Sequence, residues 1–210
     1  MIREARPDEL AAVGDLRVAA YEAGGFLNPG YAPELRALGP HGDGTVLVAI
    51  PEDGPLADPA GAPGPGPASA PGPGRAGSPG LASAGTEGGD GGGTIAGTIM
   101  LVTWPLAGEL VGGPDEAEIR ALAVAPGAQH GGVGTGLLLT ALNWAELAGA
   151  RRVVLSTLPE MRAAHRLYER NGFRRLPDRD WSPRPGVELL AYSLELASLE
   201  KGSLGQGQPG

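Results

Sequence analysis

Along the chain, apolar positions switch repeatedly between a two-residue and a 3.6-residue spacing, so strands and helices alternate. Ile2 to Arg6 reads as a short strand, and Pro7-Asp8 opens a helix to about Ala23 with Leu10, Val13, Leu16 and Ala20 on one face. Tyr31 to Leu38 predicts a second, short helix. T-V-L-V-A-I, from Thr45 to Ile50, is the apolar run of a buried strand, and Thr94 to Trp104 predicts its hairpin partner. Glu116 to Val124 is a strand, followed by the loop A-P-G-A-Q-H-G-G-V-G and a helix from Thr135 to Ala148. A strand at Val153–Thr157 leads to a helix from Glu160 to Arg170, with Ala164, Leu167 and Tyr168 inward and Asn171-Gly172 as its stop. Phe173-Arg174 and Val187 to Leu196 are the last two strands, and Trp181 is expected on the tip of the hairpin between them, where it would serve a ligand's far side or a subunit contact.

Composition changes this picture in one place. The chain holds 37 Gly and 21 Pro in 210 residues, and 22 of those 58 fall in the forty residues 54–93. Runs such as A-P-G-P-G-P-A-S-A-P-G-P-G cannot bury enough apolar surface to offset the entropy of ordering them. The chain is thus expected to be one domain over 1–196, interrupted at a hairpin tip by a long disordered Gly/Pro-rich insert at 54–93. Residues 197–210 form a flexible tail. Long insertions at such a tip cost little, because closure entropy rises slowly with loop length.

Charge and cysteine usage narrow the chemistry. A formal net charge of −8 opposes approach to DNA or an anionic membrane, so neither is an expected partner. The absence of cysteine excludes a disulfide scaffold, a Cys-ligated zinc site and a thiol nucleophile, and no metal site is expected. The opening M-I-R-E-A-R-P-D-E-L has acids where a signal peptide needs an apolar core, and no apolar run approaches the ~18 residues of a membrane span. A cytoplasmic location follows as an expectation. Nine arginines lie between Arg151 and Arg184 against four acids, a local basic cluster.

The stretch Gln129-His130-Gly131-Gly132-Val133-Gly134, between a strand and a helix, has the make-up of an anion site. Glycines let backbone N–H groups approach closely, and a helix start adds unpaired donors and a positive dipole. A nucleotide P-loop needs a lysine that Gly134-Thr135-Gly136 lacks, and G-x-G-x-x-G counted from Gly132 fails at Leu137.

The segment A-E-I-R-A-L-A-V-A-P-G-A-Q-H-G-G-V-G-T-G-L-L resembles the acetyl-CoA-binding motif of the GNAT N-acetyltransferases, with Gln129, Gly132 and Gly134 in its Q/R-x-x-G-x-G/A loop. R-A-A-H-R-L-Y-E-R-N-G-F resembles the family's second hallmark, a helix ending in L-Y-x-x-x-G-F, and I-R-E-A-R-P-D-E-L resembles its first strand and helix. The resemblance implies an α/β fold with a mixed, splayed central sheet flanked by helices. It implies transfer of acetyl from acetyl-CoA to a small-molecule or peptide amine, and dimers are frequent among such proteins. Pantetheine would pair with the backbone of Leu122, Ala123 and Val124, and pyrophosphate would sit in the loop from Gln129 through His130, Gly131, Gly132, Val133 and Gly134 to Thr135. Two positions depart from the pattern: His130-Gly131 stands where a second basic residue is common, and Met161 where Asn is. The arginine cluster is a candidate to supply the missing charge.

Acetyl transfer needs a neutral amine, a donor for the tetrahedral oxyanion and a proton for the departing thiolate. By resemblance Tyr168 is the acid and Glu118 the base, with the Val124 N–H as oxyanion donor. Core packing is the alternative for Tyr168, and an i+2 ion pair with Arg120 the alternative for Glu118. His165 reads as a surface residue, and Asp115-Glu116 as a solvated strand end. Trp104, Tyr21 and Tyr31 lie on segments that line the acceptor side in such a fold. A CoA-binding regulatory module without turnover, or a scaffold recruiting a partner through the Gly/Pro arm, are the rival functions.

Overall fold

The computed structural model describes residues 1–28, 30–39, 42–51, 94–106 and 109–196. The Gly/Pro-rich insert, His41 and the tail lie outside these residues. In chain order the described elements are β1 (Ile2–Glu4), α1 (Leu10–Ala23), α2 (Tyr31–Ala37), β2 (Thr45–Ala49), β3 (Gly97–Thr103), β4 (Glu116–Val124), α3 (Val133–Leu147), β5 (Arg152–Thr157), α4 (Arg162–Arg170), β6 (Arg174–Arg175), β7 (Trp181–Arg184) and β8 (Val187–Glu195). The strands pair in the order β1-β2-β3-β4-β5-β8-β6, with β7 also on β8. Every pairing is antiparallel except β4 with β5.

The central strands are apolar without interruption because both faces are covered. Leu47, Ala49, Ile99 and Leu101 turn to the face that carries α3 and α4, where they pack with Leu137, Leu138, Ala141 and Tyr168. Val46, Val48, Met100 and Val102 turn to the other face and meet Val13 of α1. The period-2 alternation of a strand thus serves two cores at once. Gly97 lets α3 approach the sheet closely: a Cβ there would lie 2.9 Å from Val133 and 3.0 Å from both Leu137 and the Ala123 carbonyl oxygen.

Three expectations change on inspection. The first strand ends at Glu4, and Pro7–Glu9 forms a 3-10 turn before α1. Glu9 fixes that junction, accepting the Arg6 N–H at 2.8 Å and both arms of the Arg3 guanidinium at 2.7 and 2.8 Å. These charged donors hold its carboxyl down at about 2. The buried stripe of α1 is Val13, Gly14, Arg17 and Val18, rotated from the expected face so that an arginine points inward. Trp181 is no hairpin tip: it begins β7, an edge strand whose Pro183 needs no inward N–H, and the turn falls after Arg184. The β2–β3 hairpin across the insert is as expected, with Ala49 opposite Gly97.

Candidate active site

One irregularity in the sheet makes the site. β4 pairs with β5 only from Glu116 to Ile119, opposite Arg152 to Leu155. Beyond Ile119 the two strands part, β4 running on to Val124 and β5 to Thr157. Among the described residues the second half of β4 therefore has no strand on its β5 side, and its backbone polar groups there are open to a ligand. At the same point the β3–β4 register shifts, Thr98 facing Ala123 but Met100 facing Arg120. Ala121 takes up the extra residue with a left-handed φ of 49°. Before this bulge Ala117 and Ile119 face the α3 side, and after it Leu122 does. Glu118 and Arg120 consequently face the opposite side, toward α1 and α2.

A cavity of about 790 Å³ fills the splay, and all the expected site residues except Gly131 line it. The loop from β4 enters α3 through a 3-10 turn at Pro126–Ala128 and two left-handed residues, His130 (φ 68°) and Gly132 (φ 78°). Gly132 is the N-cap of α3 and no side chain caps the helix. The N–H groups of the first turn have no intrahelical acceptor, and they open onto the cavity with the positive end of a 15-residue helix behind them. A smaller cavity of about 420 Å³ adjoins this loop, formed by His130, Thr135, Arg166, Arg170 and Asn171 among others. Arg166 and Arg170 thus bring cationic charge to the place where the loop lacks its second basic residue.

Tyr168 stands on α4 among aromatic neighbours, its ring centroid 5.8 Å from Phe173 and 6.2 Å from Tyr192. It is 6% exposed yet lines the cavity, and burial pushes its hydroxyl well above the ordinary phenol range. It is therefore a protonated donor throughout the physiological range. Glu118 is 2% exposed. Its Oε2 accepts the Leu110 N–H at 3.1 Å and its Oε1 lies 3.7 Å from Arg120 Nε. Burial outweighs both and raises its pKa above the usual carboxylate value. Tyr168 is thus core and cavity wall at once, and Glu118 is both paired with Arg120 and part of the cavity wall.

Other expectations divide. Tyr21 and Tyr31 line the cavity, their centroids 6.0 Å apart, whereas Trp104 is exposed and outside it. His165 is half-buried rather than a surface residue; its Nε2 bonds the Leu158 carbonyl at 3.0 Å and its ring packs on Tyr192. Glu116 is buried, not solvated, held by Arg179 at 2.6 Å, the Gly112 N–H at 2.7 Å and Arg152 at 3.2 Å. Met161 accepts the Thr157 hydroxyl on its sulfur at 3.5 Å, and both line the cavity. Trp181, expected near the acceptor, lines the cavity, and so do Glu109 and Arg184, which were not singled out because their segments carry no pattern that ties them to β4. Among the described residues no three His, Cys, Asp or Glu side chains group as metal ligands, and no helix is long and apolar enough to cross a membrane.

The half-open sheet with an uncapped glycine-loop helix at the opening sets an anion-suited helix start beside unpaired strand backbone, and known proteins share this architecture. The model of the acetyltransferase (GNAT) family matches residues 81–173. No curated protein matches the sequence. An acetyltransferase of the GNAT family from Staphylococcus aureus Mu50 has a similar fold, with a TM-score of 0.60 at 14% identity over 94% of this chain and 99% of its own. A GCN5-related N-acetyltransferase from Kribbella flavida gives a TM-score of 0.57 at 19% identity over 93% and 97%. The protein yncA from Salmonella typhimurium, solved with its cofactor acetyl-CoA, gives 0.53 at 17% over 94% of each chain. Residues 81–173 are thus similar to the acetyltransferase (GNAT) family, and the fold as a whole is that of solved GNAT acetyltransferase structures.

Proposed function

We propose that the chain transfers the acetyl group of acetyl-CoA to a primary amine by direct attack, with Glu118 and Tyr168 handling the protons. One observation carries the reading. The parting of β4 from β5 brings the glycine loop, the open half of β4, Glu118 and Tyr168 to the wall of a single cavity.

The residues present suit a CoA thioester. The uncapped start of α3 suits a pyrophosphate, the open edge of β4 suits the pantetheine amides, and Arg166 with Arg170 suits a further phosphate. Bound acetyl-CoA supplies an acetyl group activated as a thioester. With no cysteine in the chain, no thiol is present to take that group over first. Glu118 faces the acceptor side and takes the proton lost by the attacking nitrogen. Backbone N–H groups on the open stretch of β4, Val124 among them, stabilise the charge that builds on the carbonyl oxygen. The nitrogen–carbon bond forms, the carbon–sulfur bond breaks, and the Tyr168 phenol donates its proton to sulfur. Solvent then reprotonates the phenol.

Thiol release from acetyl-CoA with a panel of amines tests the reaction, and Tyr168→Phe tests the acid. The ring stays, so packing against Phe173 and Tyr192 and the acetyl-CoA Kd should hold within about threefold. Loss of one transition-state proton donor should lower kcat and kcat/KM together, toward the low end of ~10²–10⁴ because a thiolate is a fair leaving group. Unchanged turnover would return Tyr168 to a core residue. Tight acetyl-CoA binding with no turnover of any amine would make the chain a binding module.

A further inference from the structure

The acceptor side of the cavity carries a charge pattern that selects among amines. On β4, Glu118 and Arg120 stand two residues apart on one face, carboxylate and guanidinium 3.7 Å from each other. That contact is loose for an ion pair, and Arg120 has no other carboxylate in range among the described residues. Arg184, the second arginine on this side, is already committed: it bonds Glu34 at 2.9 Å and lies 4.9 Å over the Tyr31 ring. Behind Arg120, on α1, Arg17 is 0% exposed. Its Nη1 donates to the Leu38 carbonyl at 2.7 Å, while its Nε and Nη2 are buried without a partner. It has no carboxylate at ion-pair distance among the described residues, and it sits one helical turn from Tyr21, which lines the cavity. Glu34 and Glu109 also line this cavity, but Glu34 is taken by Arg184, so Arg120 with its one loose carboxylate and Arg17 with two unpaired buried donors are the cationic groups that an anion would complete.

The geometry points to a free α-amino acid with an apolar or aromatic side chain as the acceptor, its amine at Glu118 and its carboxylate on the Arg120 guanidinium. This deepens the transferase reading and rests on it. An α-amino acid hangs both charges on one carbon, so it can address two protein groups that are themselves side by side. Polyamines, lysine side chains and peptide N-termini bring the cation without the adjacent carboxylate, and leave the Arg120 fork without a second acceptor. The planar fork of Arg120 suits a carboxylate in bidentate fashion. The acceptor's side chain would lie against Tyr21, Tyr31, Phe26 and Trp181, which line the same cavity. Arg17 acts as a positioning residue, through the field it adds behind Arg120.

The test compares L-phenylalanine and L-leucine with phenylalaninamide, phenethylamine, spermidine and a free-N-terminus peptide, in the whole protein with saturating acetyl-CoA. The expected result is a kcat/KM at least tenfold higher for the amino acids than for the amide and the decarboxylated amine. Arg120→Gln should bring amino acid and amide to within about threefold of each other, and Arg120→Lys should fall between. Preference for the amide, polyamine or peptide overturns the assignment, as does a preference that survives in Arg120→Gln. If no amine is turned over, the transferase reading fails by itself, and calorimetry of L-phenylalanine into the CoA-saturated protein decides the subsite. Binding weakened at least tenfold by Arg120→Gln upholds it; absence of binding to the wild type overturns it.

Discussion

A carboxylate in a low-dielectric wall is a stronger base than one in water, and Glu118 owes its role to that environment. Burial raises its pKa, while the Leu110 N–H and Arg120 pull it back. A base must be ionised to act, so kcat/KM should fall as pH drops through the raised value, above the ~4.3 of an ordinary glutamate. Glu118→Gln should remove this acidic inflection from the pH profile and cost roughly 10²–10⁴ in kcat. The acceptor amine's own ionisation would leave a separate inflection at higher pH in both proteins. A Gln variant that retains the acidic limb and the rate would show that water, not Glu118, takes the proton. The candidacy of Glu118 was legible because its position in the β4 motif matched the family. Its burial was not, since the Leu110 segment that covers it carries no pattern of its own.

At the scale of elements, the start of α3 is where sequence and geometry agree most closely. Gly132 adopts a φ of 78° that side chains other than Gly strain to hold, which is why the glycine could be anticipated there. Gly134 serves differently. A Cβ there meets Val124 at 3.5 Å and Leu167 at 3.6 Å, ordinary contacts that the fold can absorb. A valine would still project into the space beside the open helix start. Gly134→Val should therefore keep its melting temperature within a few degrees while acetyl-CoA affinity, read by calorimetry, falls at least tenfold. Affinity within twofold of wild type in the folded variant would remove the glycine loop from the ligand site. Less could be anticipated at the bulge, because Ala121 has no feature that marks a left-handed residue and the register shift depends on how β3 and β4 meet. The inward turn of Arg17 was hidden for the same kind of reason: a helical period assigns an arginine to solvent, and only the seating of α1 against β4 and α2 decides otherwise.

For the whole molecule, the position of the insert is informative although residues 52–93 lie outside the described structure. Its two ends leave adjacent strands: Ala96 N–H donates to the Ala49 carbonyl at 2.8 Å, and the Ala125 N–H to the Ala96 carbonyl at 2.9 Å. The hairpin is thus closed by its own ladder below the insertion point. Described residues before and after the insert share one sheet. Loop closure favours the shorter connection slightly, a gain of about 0.6 kcal/mol per halving of length. Replacing residues 54–93 by a short Gly-containing turn should therefore leave the melting temperature unchanged or slightly raised, with acetyl-CoA turnover within about twofold. The insertion point adjoins the open end of β4, because Gly97 faces Val124, so the KM for acetyl-CoA is the parameter to watch. A deletion variant that unfolds cooperatively at the wild-type temperature but loses affinity would give the segment a place at the thioester site. Loss of cooperative unfolding would make it part of the fold.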